Sequence, residues 1–150
     1  ILKQQGTPFV IHQPSYSMLN RWIEEDGLKD YLYEKGIGCI AFSPLAQGIL
    51  TGKYLKGIPK DSRIGNGKSP YLHKSDITPE KLEKVRALDQ LAKERNQTLT
   101  QMALSWILRD GKVTSVLIGA SRPEQIIENL KALDNIAFSE EELRKIEEIL

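Results

Sequence analysis

One cysteine and two histidines in 150 residues exclude several kinds of chemistry at the outset. Cys39 cannot form an intrachain disulfide, and its place inside an apolar run reads as a small core residue rather than a nucleophile. His12 and His73 are too far apart in sequence for a metal-ligand spacing. No apolar run approaches the roughly 20 residues needed to cross a bilayer, and no signal-peptide pattern is visible. The expectation is a cytoplasmic protein with no membrane partner. Net charge is scarce as well: 21 Lys and Arg against 20 Asp and Glu leave +1. No global field draws nucleic acid to such a chain. What is present suits one globular domain with a real core, 40% hydrophobic and 27% charged.

Along the chain, residues 1–5 read as the tail of a helix stopped by Gly6, and 9–13 as a short strand ended by Pro14. A turn is expected over 15–21, then a helix over 28–35 with Gly36 as its stop. Residues 37–42 are continuously apolar, as strands buried on both faces of a helix-covered parallel sheet are. Residues 43–77 carry Gly48, Gly52, Gly57, Pro59, Gly65, Gly67 and Pro70, and so long a connection is either a functional lid or disordered. Thr78, Pro79 and Glu80 open a helix with Leu82, Val85, Leu88 and Leu91 inward. Thr98 and Gln101 form a capping-box pair for the next, which turns Met102, Ala103, Trp106 and Ile107 inward and ends at Gly111. Tyr31, Tyr33 and Trp106 read as packing residues. Val116, Leu117 and Ile118 read as a buried third strand. Ser139 and Glu142 cap a last helix with Leu143, Ile146 and Ile149 inward.

This alternation predicts an α/β fold with a parallel sheet and right-handed crossovers. Three parallel strands leave two open edges. The rest of the sheet is therefore expected to lie elsewhere, or to come from a second copy in a homo-oligomer. The start at Ile1 without a methionine, and the close at Leu150 in mid-pattern, carry the expectation of a piece of something longer.

The stretch 116–129 holds the strongest functional pattern. Gly119 and Ala120 keep the backbone bare after the strand, Ser121 and Glu124 form a capping-box pattern, and Pro123 fits a first helical turn. Exposed N–H groups and the positive end of the helix dipole favour an anion there, and Arg122 adds a fork of donors. Gln125, Glu128 and Asn129 share one polar face, while Ile126, Ile127, Leu130 and Leu133 form the face expected to pack inward. Many such junctions hold no ligand, and many polar helix faces are merely solvated. Two further strand ends add to the pattern. Gln13 closes the first strand, where its amide either pairs with a ligand carboxamide or simply ends the strand. Phe42, Ser43, Pro44, Leu45, Ala46 and Gln47 follow the second, offering an aromatic face, a hydroxyl and small residues that let backbone N–H groups approach an anion. Lys53 and Arg63 on the connection can reach a pyrophosphate or stand as solvated charges. No tyrosine shows a local partner that would mark it as a general acid.

Taken together, His12-Gln13-Pro14-Ser15-Tyr16, Phe42-Ser43-Pro44-Leu45-Ala46-Gln47-Gly48 with Thr51-Gly52-Lys53-Tyr54, and Ile118-Gly119-Ala120-Ser121 through Glu128-Asn129 resemble the aldo-keto reductase superfamily. The resemblance is closest to the branch holding bacterial L-glyceraldehyde-3-phosphate reductases and the β subunits of voltage-gated potassium channels. It runs from Gly6 onward and implies the C-terminal half of a (β/α)₈ barrel, strands six to eight, with residues 1–150 forming the NADP(H)-binding side. Phosphate sites of such barrels follow strands seven and eight.

The resemblance further implies that Gln13 holds the nicotinamide carboxamide and that Phe42 stacks on the ring, where the family more often has Trp or Tyr. Ser43, Leu45 and Gln47 resemble the pyrophosphate segment, with Lys53 and Arg63 on the loop that folds over it. Asp61 replaces a tyrosine of the channel subunits, and that contact is not carried over. Gly119, Ser121, Arg122 and Gln125 resemble the pocket for the 2′-phosphate and adenosine ribose, and Glu128 and Asn129 the adenine contacts. The implied cofactor is NADPH and the implied substrate a small-molecule carbonyl. The family's Asp, Tyr, Lys and His tetrad lies in the other half of the barrel and matches nothing here. No catalytic residue is therefore assigned, and the chain alone is expected to be inactive. The alternative is a non-enzymatic, NADPH-sensing regulatory subunit.

Overall fold

The computed structural model describes residues 2–67 and 70–150. Three parallel strands form one sheet in chain order: β1 (Ile11–His12), β2 (Gly38–Ala41) and β3 (Ser115–Val116). Ile11 pairs with Gly38, and Ile40 with Ser115, so all three carboxyl ends open on the same side. The described residues form six α-helices: α1 (Trp22–Glu25), α2 (Leu28–Glu34), α3 (Pro79–Glu94), α4 (Leu99–Leu108), α5 (Pro123–Leu130) and α6 (Glu140–Ile149).

The helix starts follow local chemistry. Thr78 accepts from the Lys81 N–H to open α3, and Thr98 and Ser139 do the same for Gln101 and Glu142 in α4 and α6. Gly36 stops α2 in the left-handed region (φ 64°), with Ile37 N donating back to Leu32 O at 2.9 Å. α4 is the central rod. Its residues 101–107 are all buried, Leu104 and Ser105 along with the expected inward face, because α3, α5, β3 and the turn after β2 surround it. Trp106, Leu88, Met102 and Leu50 share the core at 0% exposure, each side chain contributing about 1.5–3 kcal/mol by burial.

Several expectations are overturned. The strands are not buried on both faces: in β2 only Cys39 and Ala41 are, and the expected third strand shifts back to Ser115 and Val116, leaving Leu117 44% exposed. β1 shrinks to two residues, since Pro14 removes a donor and the strand lies at the sheet edge. The apolar face of α5 does not pack inward. Ile126, Ile127, Leu130 and Leu133 are 46–61% exposed, for no element among the described residues covers it. Tyr31 and Tyr33 are likewise exposed, on the outer side of α2. The short helix α1 carries no sequence signal beyond Ile23, which is buried.

The long connection is neither disordered throughout nor free of the core. It contains two 3₁₀ turns, Ala46–Thr51 and Lys74–Asp76, and buries Ile49, Leu50, Tyr54 and Leu72. Among the described residues no helix is long and apolar enough to cross a membrane.

Candidate functional site

Because the strands are parallel, Gln13, Ser43 and the 117–121 segment all leave the sheet at one end, the usual place for ligands in such sheets. A cavity of about 640 Å³ opens between the second and third of these exits. Its wall includes Ser43, Pro44, Leu45, Gln47, Lys53, Arg63, Gly119, Ser121 and Gln125. Gln13, Phe42, Ala46, Arg122, Glu128 and Asn129 lie outside it. Gly48, Thr51, Asp61, Asn66, Leu117, Ile118 and Ala120 complete the wall without having been singled out as site residues. Asp61 had been set aside, and its position now faces Lys53 and Arg63.

The backbone after β2 is unusual. Ser43, Ala46 and Gln47 adopt positive φ (55°, 47° and 57°), and Gly48 follows at 97°. Three non-glycine residues in the left-handed region within five positions store conformational cost of the kind that clusters at ligand sites. A Cβ on Gly48 would stand 3.1 Å from the Lys53 ammonium nitrogen, so the lysine chain crosses a spot only glycine leaves open. Thr51 Oγ1 donates to Gly48 O at 2.8 Å and closes the turn.

Two glutamine carbonyl oxygens occupy the cavity's donors. Gln47 Nε2 donates to Ser43 Oγ at 3.0 Å, while its Oε1 accepts from Arg63 Nη1. Across the cavity, Gln125 Oε1 accepts from Ser121 N at 2.8 Å, Ser121 Oγ at 3.2 Å and Arg122 N at 3.3 Å. The helix cap therefore sits one residue later than the expected Ser121–Glu124 pair: Arg122 takes the capping position and Gln125 reaches back. Three donors aimed at one neutral oxygen make a nest that suits an anionic oxygen better.

The electrostatics agree. Among the described residues neither Lys53 nor Arg63 forms an ion pair. Burial, and then the neighbouring Arg63 charge, hold Lys53 below its ordinary value, with Asp61 opposing them. Among the described residues, Asp61, Lys53 and Arg63 are the ionisable side chains in the wall.

The remaining candidates take other roles in the free chain. Glu128 accepts from Lys131 at 2.7 Å, and Gln101 donates to its backbone oxygen at 3.1 Å. Arg122 and Gln13 are exposed, Asn129 is half-buried, and Phe42 is 41% exposed. Tyr16 does have a partner that no local spacing signals: its hydroxyl donates to Glu24, eight residues on, at 2.7 Å.

A parallel α/β sheet with a polar cavity holding Lys53 and Arg63 at its carboxyl end defines the class of protein. Within that class, the Aldo/keto reductase family model matches residues 1–150, and the chain belongs to that family. It is 53% identical over 154 residues to an L-glyceraldehyde 3-phosphate reductase of Escherichia coli K12, covering 99% of this chain and 43% of that protein. It is 40% identical over 145 residues to a putative voltage-gated potassium channel subunit beta of Schizosaccharomyces pombe, covering 94% and 42%. Among solved structures it resembles a glycerol dehydrogenase of Gluconobacter oxydans, with TM-score 0.77, 26% identity, and coverage of 98% and 44%. The two sequence relatives are of the two kinds the sequence motifs resemble. The chain spans less than half the length of these relatives.

Proposed function

We propose that the protein is an NADPH-dependent reductase of aldehydes or ketones, and that this chain is the cofactor-holding C-terminal half of its (β/α)₈ barrel. The observation that carries the reading is the pairing, in one cavity, of two cations that form no ion pair among the described residues with a nest of three donors around Gln125 Oε1. Such a cavity suits a ligand with two separated phosphate groups. Lys53, Arg63 and Ser43 would take a pyrophosphate, and Ser121, Arg122 and Gln125 a 2′-phosphate with its ribose. Gly119 leaves that approach open, since nothing lies within 4 Å of a Cβ built on it. Pro44, Leu45 and Ala46 would shape the turn beneath the pyrophosphate, and Glu128 and Asn129 would meet the adenine. Gln13 would orient the carboxamide and Phe42 would cover one face of the nicotinamide ring. When bound, NADPH supplies a hydride to a carbonyl carbon. Among the described residues the cavity wall carries no tyrosine or histidine, so protonating the carbonyl oxygen would fall to residues outside it.

The test is NADPH oxidation by the intact protein with small aldehydes and ketones. A rate that vanishes without either NADPH or carbonyl supports the reading. An intact protein that carries the family's Asp, Tyr, Lys and His yet reduces no carbonyl overturns it. The 150-residue chain alone is expected to show no rate and weak NADPH binding, and submicromolar affinity would contradict its role as one half of the site. The identity to the Schizosaccharomyces channel subunit favours a second reading, a subunit that binds NADPH and senses it. A single hydride transfer without repeated turnover would select that reading.

A further inference from the structure

Beneath the mouth of the site lies a charge cluster that the cofactor reading does not use. The Glu24 carboxylate receives four donors: Tyr16 OH, Lys29 Nζ and Arg109 Nη2, each at 2.7 Å, and Arg21 Nε at 2.6 Å. Lys29 continues to Asp110 and Arg21 to Glu147, both at 2.7 Å. Arg109 lies over the Trp106 ring, 3.8 Å from its centroid, and also donates to Tyr16 OH at 3.2 Å. Three acids and three bases balance, so the cluster calls for no further ion. As a source of stability such an arrangement is a poor bargain, because desolvating its charges offsets most of their attraction. What it does supply is direction.

That direction reaches the mouth through Tyr16. Its ring is fully buried, 5.5 Å from the Trp106 ring centre to centre, and its hydroxyl is the cluster's one uncharged member. Its backbone N–H donates to Phe42 O at 3.1 Å, and Phe42 N–H donates to Pro14 O at 2.9 Å, which zips Ser15 against Phe42 beyond the end of β1. Residues 13–16 and Phe42 therefore share one frame, and Tyr16 is the side chain of that frame whose hydroxyl reaches the charge cluster.

We propose that Tyr16 and Glu24 are positioning residues for the nicotinamide end of the cofactor site, holding Gln13 and Phe42 in register while leaving the adenosine end untouched. This rests on the NADPH reading above. The adenosine end is built on a different strand exit, Gly119 to Gln125, with no hydrogen bond to the cluster among the described residues. A purely structural cluster would affect both ends alike.

The experiment titrates intact wild-type protein, Tyr16→Phe and Glu24→Gln with two probes. NADPH reports both ends, and 2′,5′-ADP reports the adenosine end alone. Tyr16→Phe keeps the ring and removes only the anchoring hydroxyl, so it carries the test if Glu24→Gln fails to fold. The expected result is NADPH binding weakened about tenfold, near the loss of one good hydrogen bond, with 2′,5′-ADP binding unchanged within about twofold. Equal losses for both probes, or no loss for either, overturn the proposal and leave the cofactor reading standing. A wild-type protein that binds neither probe overturns both.

Discussion

Replacing Gln125 with Glu changes one atom and adds one charge at the point where the Ser121 N–H, the Ser121 hydroxyl and the Arg122 N–H converge. In the free protein the change is favourable. A carboxylate accepts these donors more strongly than an amide oxygen, and beside the first turn of α5 it gains about 0.3–1 kcal/mol from the helix dipole. Against a 2′-phosphate it is repulsive. Two unit charges roughly 4 Å apart repel by about 1 kcal/mol in water and about 4 kcal/mol near a protein surface. Ser121 and Arg122 are exposed, so a value near 2 kcal/mol is appropriate, which is about a thirtyfold loss of affinity. NADH lacks that phosphate and should lose less than about twofold. The assay is a fluorescence titration of wild type and variant with NADPH and NADH at two salt concentrations, the NADPH penalty shrinking as salt rises. Equal losses for the two dinucleotides, or an unchanged NADPH affinity, would refute the assignment of this nest to the 2′-phosphate.

The core and the buried charges give three further expectations. Trp106→Ala removes the largest fully buried side chain and should cost about 3–5 kcal/mol in urea unfolding, and a loss under about 1 kcal/mol would contradict the central place of α4. Burial alone would raise the Glu24 pKa, but hydrogen bonds from Lys29, Tyr16, Arg109 and Arg21 bring it to about 2 from 4.5. A depressed carboxylate stabilises the fold above its unfolded value and loses that contribution as pH falls through the folded one. Stability should therefore drop between pH 4.5 and 2, by roughly 3 kcal/mol from this group, and Glu24→Gln should flatten that part of the profile. Burial also pushes the Cys39 thiol up, so a thiol reagent should label it only as denaturant opens the fold, and rapid native labelling would show β2 to be accessible.

The legible parts of the sequence were those whose cause is local. The Thr98–Gln101 and Ser139–Glu142 caps, the Gly36 stop and the inward residues of α3 need only neighbours within a turn or two, and the structure has them. The apolar face of α5 was misjudged because periodicity reports which side is apolar, not whether anything covers it. β2 was misjudged similarly, since a continuous apolar run does not say how many faces are packed. Of the site, the order of strand exits was readable, and so was the cation pair on the connection. The link from Tyr16 to Glu24 and Arg109 was not, because it joins three elements by contacts up to 93 residues apart. The Gln125 nest was half readable: a bare turn opening a capped helix was evident, but not that a side chain of the same helix fills it.

If this chain grips the cofactor while the chemistry lies elsewhere, a kinetic consequence follows, and Arg63→Ala exposes it. Arg63 reaches the cavity from the long connection and is held there by Gln47, with no carboxylate partner among the described residues. Its removal takes one positive charge from the proposed pyrophosphate position and leaves the strand exits in place. If the cavity only binds, the interaction is equally present before and during hydride transfer, so KM for NADPH should rise while kcat stays within about twofold. One hydrogen-bonded charge in a partly exposed site is worth about 1.5–3 kcal/mol, hence a rise of roughly ten- to hundredfold. A fall in kcat at unchanged KM would mean that Arg63 acts in the transition state, and the division between a holding half and a reacting half would be wrong. If kcat instead rises as the grip loosens, cofactor release limits turnover, and a chain of this kind can serve a reductase or a slow sensor by adjusting that one contact.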